Sequence, residues 1–147
     1  MAVAVPLDTL RRLSKLEDPD EFRTEVHRMM GNQMPEMFLN RILCAVYIEN
    51  EHYRSATGTG LSTLVKAPDA IKEDIWQGKP CLVLAVGPAA FVDDTQTSFY
   101  EQSVKPGDWV TFKVSNSTQI EINKVPCRII EDRFIEAKYS DPRQVTS

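Results

Sequence analysis

The last third of the chain constrains the fold most. Between Asp108 and Tyr139, short runs rich in β-branched and aromatic residues follow one another closely. DWVTFKV (108–114) alternates, setting Trp109, Thr111 and Lys113 against Val110, Phe112 and Val114. TQIEIN (118–123) alternates as well, and VPCRIIEDRFIEAKY (125–139) adds one or two more strands. The intervening VSNST and INKVP have the composition of hairpin turns. Short strands at this spacing indicate a small β-barrel or sandwich.

Upstream, MFLNRILCAVYIEN, beginning at Met37, and PCLVLAVGP (80–88) read as two further strands, the second ended by Gly-Pro. The N-terminus differs in period. Leu7, Leu10, Leu13 and Leu16 recur every three residues as a narrow apolar stripe. Asp18 then stands as an N-cap, Pro19 at the first helical position and Glu21 where a capping box places it. Phe22, Val26, Met29 and Met30 form the apolar face of this second helix, and Gly31-Asn32 supplies its stop. The expectation is a helical hairpin over 1–34 appended to a β domain over 35–147. A chain of 147 residues suits one domain, able to bury roughly 68–70% of its unfolded surface. Two connections exceed hairpin length, one from about Asn50 to Gly78 and one over 88–103, PAAFVDDTQTSFYEQS. Loops of that length commonly bind something.

The chemistry-bearing residues were weighed against bland roles. A formal net charge of −4 argues against nucleic acid. Arg11-Arg12, the only adjacent basic pair, reads as a solvated helix face. No apolar run of about 18 residues is present to span a membrane, and the N-terminus lacks the pattern of a secretory signal. Cys44, Cys81 and Cys127 each stand alone among apolar neighbours, as buried thiols of a reducing cytoplasm do. His27 and His52 lie far apart in sequence. TGTGLSTL has no Lys after Gly60 and no third spaced glycine, so it meets neither phosphate-loop fingerprint. No H-E-x-x-H or EF-hand spacing occurs, and no metal or cofactor is expected. Asp93 with Asp94, and Glu131 with Asp132, read as solvated acidic pairs. Without a nucleophile, base and orienter set, binding or assembly is favoured over an enzyme.

At GKPCLVLAVGP, VKPGDWVTF, IEIN and CRIIEDRFIEA the sequence resembles the co-chaperonin GroES family, in the divergent form carried by bacteriophages. The first block comprises Gly78, Val83, Leu84, Ala85, Val86 and Gly87. The second comprises Val104, Lys105, Gly107, Asp108, Val110 and Phe112, and the third Ile120, Ile122, Ile129, Ile130, Glu131, Ile135 and Ala137. The likeness runs from about Pro35 to Tyr139. Gly87, Gly107 and Asp108 are its fold motif: a glycine at a tight bend and a Pro-Gly turn.

The resemblance implies a GroES-like β-barrel with a mobile loop after the first strand and a roof hairpin between the AVG and GD blocks. It implies a homo-oligomeric ring, commonly of seven, that caps a host chaperonin of the GroEL type and assists folding of phage capsid protein. The compartment is then the cytoplasm of the infected bacterium. In this chain Gly60, Leu61, Leu64 and Val65 occupy the partner-binding loop, and Phe91, Asp93, Asp94, Phe99 and Tyr100 the roof loop. The family's three adjacent aliphatics after glycine are interrupted here by Ser62 and Thr63. That departure, with the N-terminal helices, favours an alternative: a virion structural protein, a head decoration or connector component, built on the same barrel. Ordering about sixteen loop residues costs roughly 1 kcal/mol or more each, and burying three aliphatics returns about 1.5–3 kcal/mol each. One loop therefore binds weakly, and several copies in a ring gain by effective concentration.

Overall fold

The computed structural model describes residues 12–13, 16, 18–48 and 80–145. They hold helix α1 (Pro19–Met30) and strands β1 (Arg41–Val46), β2 (Cys81–Val86), β3 (Trp109–Phe112), β4 (Thr118–Ile122), β5 (Val125–Glu131) and β6 (Ile135–Tyr139). The fold is mainly β, and the segment 125–139 resolves into two strands.

α1 forms as the sequence predicts. The Asp18 carboxylate accepts the Glu21 N–H at 2.9 Å, Pro19 opens the helix, and Gly31 ends it with a φ of 55° while its N–H donates to the His27 carbonyl. Phe22, Val26 and Met30, spaced by four, are buried, and Met29 lies half-buried beside them. Most of the first expected helix, with Leu7 and Leu10, lies outside the described residues; Leu13 is buried and Leu16 half-buried. A helical hairpin is not supported. The apolar face of α1 is taken up by the sheet's own core: Phe22 meets Tyr47 edge-on at 5.1 Å and Trp109 at 6.0 Å, and Tyr47 meets Trp109 at 5.2 Å. The Arg23 guanidinium lies 5.6 Å from the Trp109 ring centre and donates to the Gly107 carbonyl at 3.0 Å.

The strands form one antiparallel sheet in the order β4-β5-β1-β2-β3-β6. It is open. β4 and β6 are its edges, each hydrogen-bonded along one side only, to β5 and β3 respectively, so the expected closed barrel is not formed by strand pairing. The sheet is nevertheless curled. β5 and β6 are separated by β1, β2 and β3, which in a flat sheet puts them about 19 Å apart. Only Asp132–Phe134, a turn of 3-10 helix, joins them, and that reach is at most about 14 Å. β1, held between β2 and β5, is buried on both faces from Ile42 to Val46. The β4–β5 hairpin turns on Asn123-Lys124, both with positive φ (48° and 69°), as predicted for INKVP. VSNST instead makes a 3-10 turn at Val114–Asn116 before β4.

Candidate functional site

Two blocks far apart in sequence are stitched together. The Gly107 N–H donates to the Val83 carbonyl and the Val83 N–H to the Asp108 carbonyl, both at 2.8 Å, extending the β2–β3 pairing into the KPGD turn. Gly107 has a φ of 100°, and the Asp108 carboxylate accepts the Lys105 N–H at 2.9 Å across the turn. At the other end of β2, Gly87 passes against the chain entering β1. A Cβ there would lie 2.2 Å from the Leu39 carbonyl oxygen and 3.0 Å from that of Arg41. Gly87 N–H donates to Arg41 and Ala89 N–H to Leu39, at 2.8 and 2.9 Å. The fold-motif residues thus hold β2 at Val83, in its middle, and just past its C-terminal end.

Segment 88–103 contains no strand, so a roof hairpin in the sense of paired strands is not formed. Its acidic residues explain why: they bind backbone N–H groups that a ladder would use. Asp94 Oδ1 accepts from Gln96 and Thr97 at 2.8 and 2.7 Å, and Asp93 Oδ1 accepts from Phe99 at 2.8 Å. Phe91 and Phe99 meet edge-on at 5.4 Å, both half-buried, while Tyr100 is exposed. Asp93 and Asp94 are exposed, as expected of the pair.

Asp132 is a correction. Expected in solvent, it is buried. Its carboxylate accepts from the Phe91 N–H at 2.9 Å, the Asn40 side-chain amide at 3.1 Å and its neighbour Arg133 N–H at 2.7 Å. Its own N–H donates to the Asn40 carbonyl at 3.1 Å. One carboxylate therefore ties the entrance of β1, the 88–103 loop and the β5–β6 corner. Glu131 is also half-buried; the Arg41 guanidinium at 2.6 Å and Arg133 at 3.3 Å hold its carboxyl below the usual range. Neither role has a local signal in sequence, because EDRF looks the same in a loop. Arg128, also missed, is buried on β5 and donates to Ser117 Oγ at 2.8 Å; burial lowers its pKa.

Gly60, Leu61, Leu64 and Val65 lie outside the described residues, as does His52. The ends of their segment are fixed: β1 and β2 are adjacent, and the Tyr47 N–H donates to the Pro80 carbonyl at 3.0 Å. The described residues on either side of 49–79 are thus neighbours. Cys44, Cys81 and Cys127 are buried without disulfides, and burial raises all three thiols, Cys81 to about 12. His27 contacts its own helix, Nδ1 to the Arg23 carbonyl at 2.8 Å, and Arg12 pairs with Glu25 at 3.5 Å. Among the described residues no group of three or more His, Cys, Asp or Glu is placed to hold a metal, and no helix is long and apolar enough to cross a membrane.

Compared with known proteins, the chain matches no protein-family model and no curated sequence.

Proposed function

We propose that the chain is a phage-encoded co-chaperonin of the GroES type. It acts as a homo-oligomeric ring, presents Gly60, Leu61, Leu64 and Val65 to a host chaperonin, and assists folding of phage capsid protein. The observation that carries this reading is the Tyr47–Pro80 closure. It brings together the two ends that flank 49–79, on neighbouring strands, and the resemblance puts a partner-binding loop between them. The joining of the LVLAVG and KPGD blocks at Val83, Gly107 and Asp108 supports the resemblance as well. The test is co-sedimentation with a GroEL-type chaperonin in the presence of ATP. Nucleotide-dependent binding is expected, lost when Leu64 and Val65 are both replaced by Ser. No binding at micromolar chain would overturn the reading.

A second reading, a virion head decoration or connector component on the same scaffold, is favoured by one observation. Phe38, Leu39, Val92 and Tyr100 are large, apolar and exposed, as in a subunit isolated from its assembly. Mass spectrometry of purified particles decides it; absence of the chain from the particle rules it out.

A further inference from the structure

α1 is joined to the sheet in a different way from the strands. Among the described residues, no main-chain hydrogen bond links 12–37 to a strand or to a loop between strands. Polar attachment runs through side chains. Arg23 reaches the Gly107 carbonyl at 3.0 Å, and the Asn123 amide reaches the Met29 and Met30 carbonyls at 3.3 and 3.4 Å. Residues 31–40, which lead from α1 to β1, form no helix or strand, and none of them is buried. β1 is the opposite case, paired along both sides with β2 and β5 and buried from Ile42 to Val46.

The contact under α1 is also incomplete. Trp109 is 1% exposed, and its indole N–H is buried without an acceptor. The same holds for the Nε–H of Arg23, whose guanidinium lies 5.6 Å from that ring. A buried donor without an acceptor weakens such a contact by about tenfold. Stacking of the guanidinium on the indole offsets part of this. Phe22, Val26 and Met30, all buried, supply the attraction that keeps α1 in place. A helix held by a few apolar side chains, with no ladder and an exposed connection, has the makings of a local opening unit.

What α1 covers is well defined. Phe22 lies against Tyr47 at 5.1 Å and Trp109 at 6.0 Å. Tyr47 in turn gives its N–H to the Pro80 carbonyl, where the two ends flanking 49–79 meet. Arg23 grips Gly107, in the turn that is bonded to Val83 of β2.

We propose that α1 is a releasable strap. It leaves the sheet as one unit while the six strands stay paired, and its release uncovers Tyr47 and Trp109 beside the Tyr47–Pro80 closure. The proposal does not rest on the co-chaperonin reading, and its test contains no chaperonin.

Hydrogen exchange of the full chain is followed by NMR in urea below the unfolding transition. The Trp109 indole signal is assigned from its loss in Trp109→Phe. The amides of residues 23–30 and the Trp109 indole proton are expected to share one opening. Its protection should be at least about tenfold below that of Leu43–Ala45 in β1. Phe22→Ala should lower protection of α1 and of the indole proton together by about a hundredfold and leave β1 and β5 unchanged. Circular dichroism reads the folding of the variant; if it does not fold, exchange in the unaltered chain decides. Exchange of α1 and β1 through one common opening overturns the proposal. So does early exchange of α1 while the indole proton keeps the protection of β1, which is a helix unwinding in place. A folded Phe22→Ala that loses protection equally in α1 and β1 overturns it too, and none of these results touches chaperonin binding.

Discussion

Two turns in this molecule both open on a residue in the left-handed region and fill that place with different residue types, Asn123 in one and Leu39 in the other. At the β4–β5 hairpin, Asn123 and Lys124 take positive φ of 48° and 69°. Asn suits that conformation, and its side-chain amide also reaches the Met29 and Met30 carbonyls at 3.3 and 3.4 Å, at the C-terminal end of α1. At the entrance to β1, Leu39 takes a φ of 53° with an exposed aliphatic side chain. The first turn obeys local preference at Asn123, and that side chain serves the fold. The second violates it in a place where the fold gains nothing from the side chain. Local rules broken without an internal gain mark sites that answer to something else.

The contrast can be broken first at its support. Gly87→Ala pushes a methyl group into the Leu39 and Arg41 carbonyls, backbone atoms that cannot rotate away. We expect a loss of about 3 kcal/mol in urea unfolding; a loss below about 1 kcal/mol would show that the β1 entrance yields easily. Asp132→Ala comes next. It strands the Phe91 N–H and the Asn40 amide in a buried corner, for about 2–3 kcal/mol. Added protease sensitivity should concentrate in 88–103, and a uniform change would argue that Asp132 does not tie that loop down.

The turns themselves give a smaller, signed test. Asn123→Leu should destabilise by about 1–2 kcal/mol and Leu39→Asn stabilise by up to about 1 kcal/mol, both from denaturant midpoints. The same sign for both would erase the comparison. The smallest effect is electrostatic. Glu131 is held below the usual carboxyl range chiefly by its hydrogen bond from Arg41. Its contribution is present above its unfolded pKa of about 4.3. It is lost as pH falls through the lower folded value. Glu131→Gln should therefore flatten the acid limb of the stability profile by about 0.5 kcal/mol or less. An unchanged slope would mean that the Arg41 pair adds nothing to the β1 entrance.

Legibility in the sequence followed how local each determinant is. Asp18, Pro19 and Gly31 specify the ends of α1 through contacts within a few residues, and the structure has them there. Asn123-Lys124 between two alternating runs carries its own hairpin signal. The 88–103 segment reads correctly as a long connection but not as strandless, because whether Asp93 and Asp94 cap backbone or stay idle depends on how the chain folds around them. Of the expected sites, Phe91 and Phe99 come together, Asp93 holds the Phe99 N–H, Gly107 and Asp108 bind β2 at Val83, and Gly87 binds the chain entering β1. The exposed tip at Phe38-Leu39 was hidden inside a run that reads simply as the start of a strand.

What the sequence determined by itself was the ends of α1, the β4–β5 turn and which runs hold strands, since period, caps and turn residues act over a few positions. Tertiary structure alone decided the rest. Alternation separates Trp109 from Val110 and Phe112 but does not say that both faces are buried; α1, laying Phe22 against Tyr47 and Trp109, covers the Trp109 face. The sheet's curl follows from a connection too short to span a flat sheet, and the curl carries Asp132 inside to donors on Asn40 and Phe91. A carboxylate with three N–H donors is stable in the interior and one without them is not. Those donors come from parts of the chain that meet Asp132 only after folding.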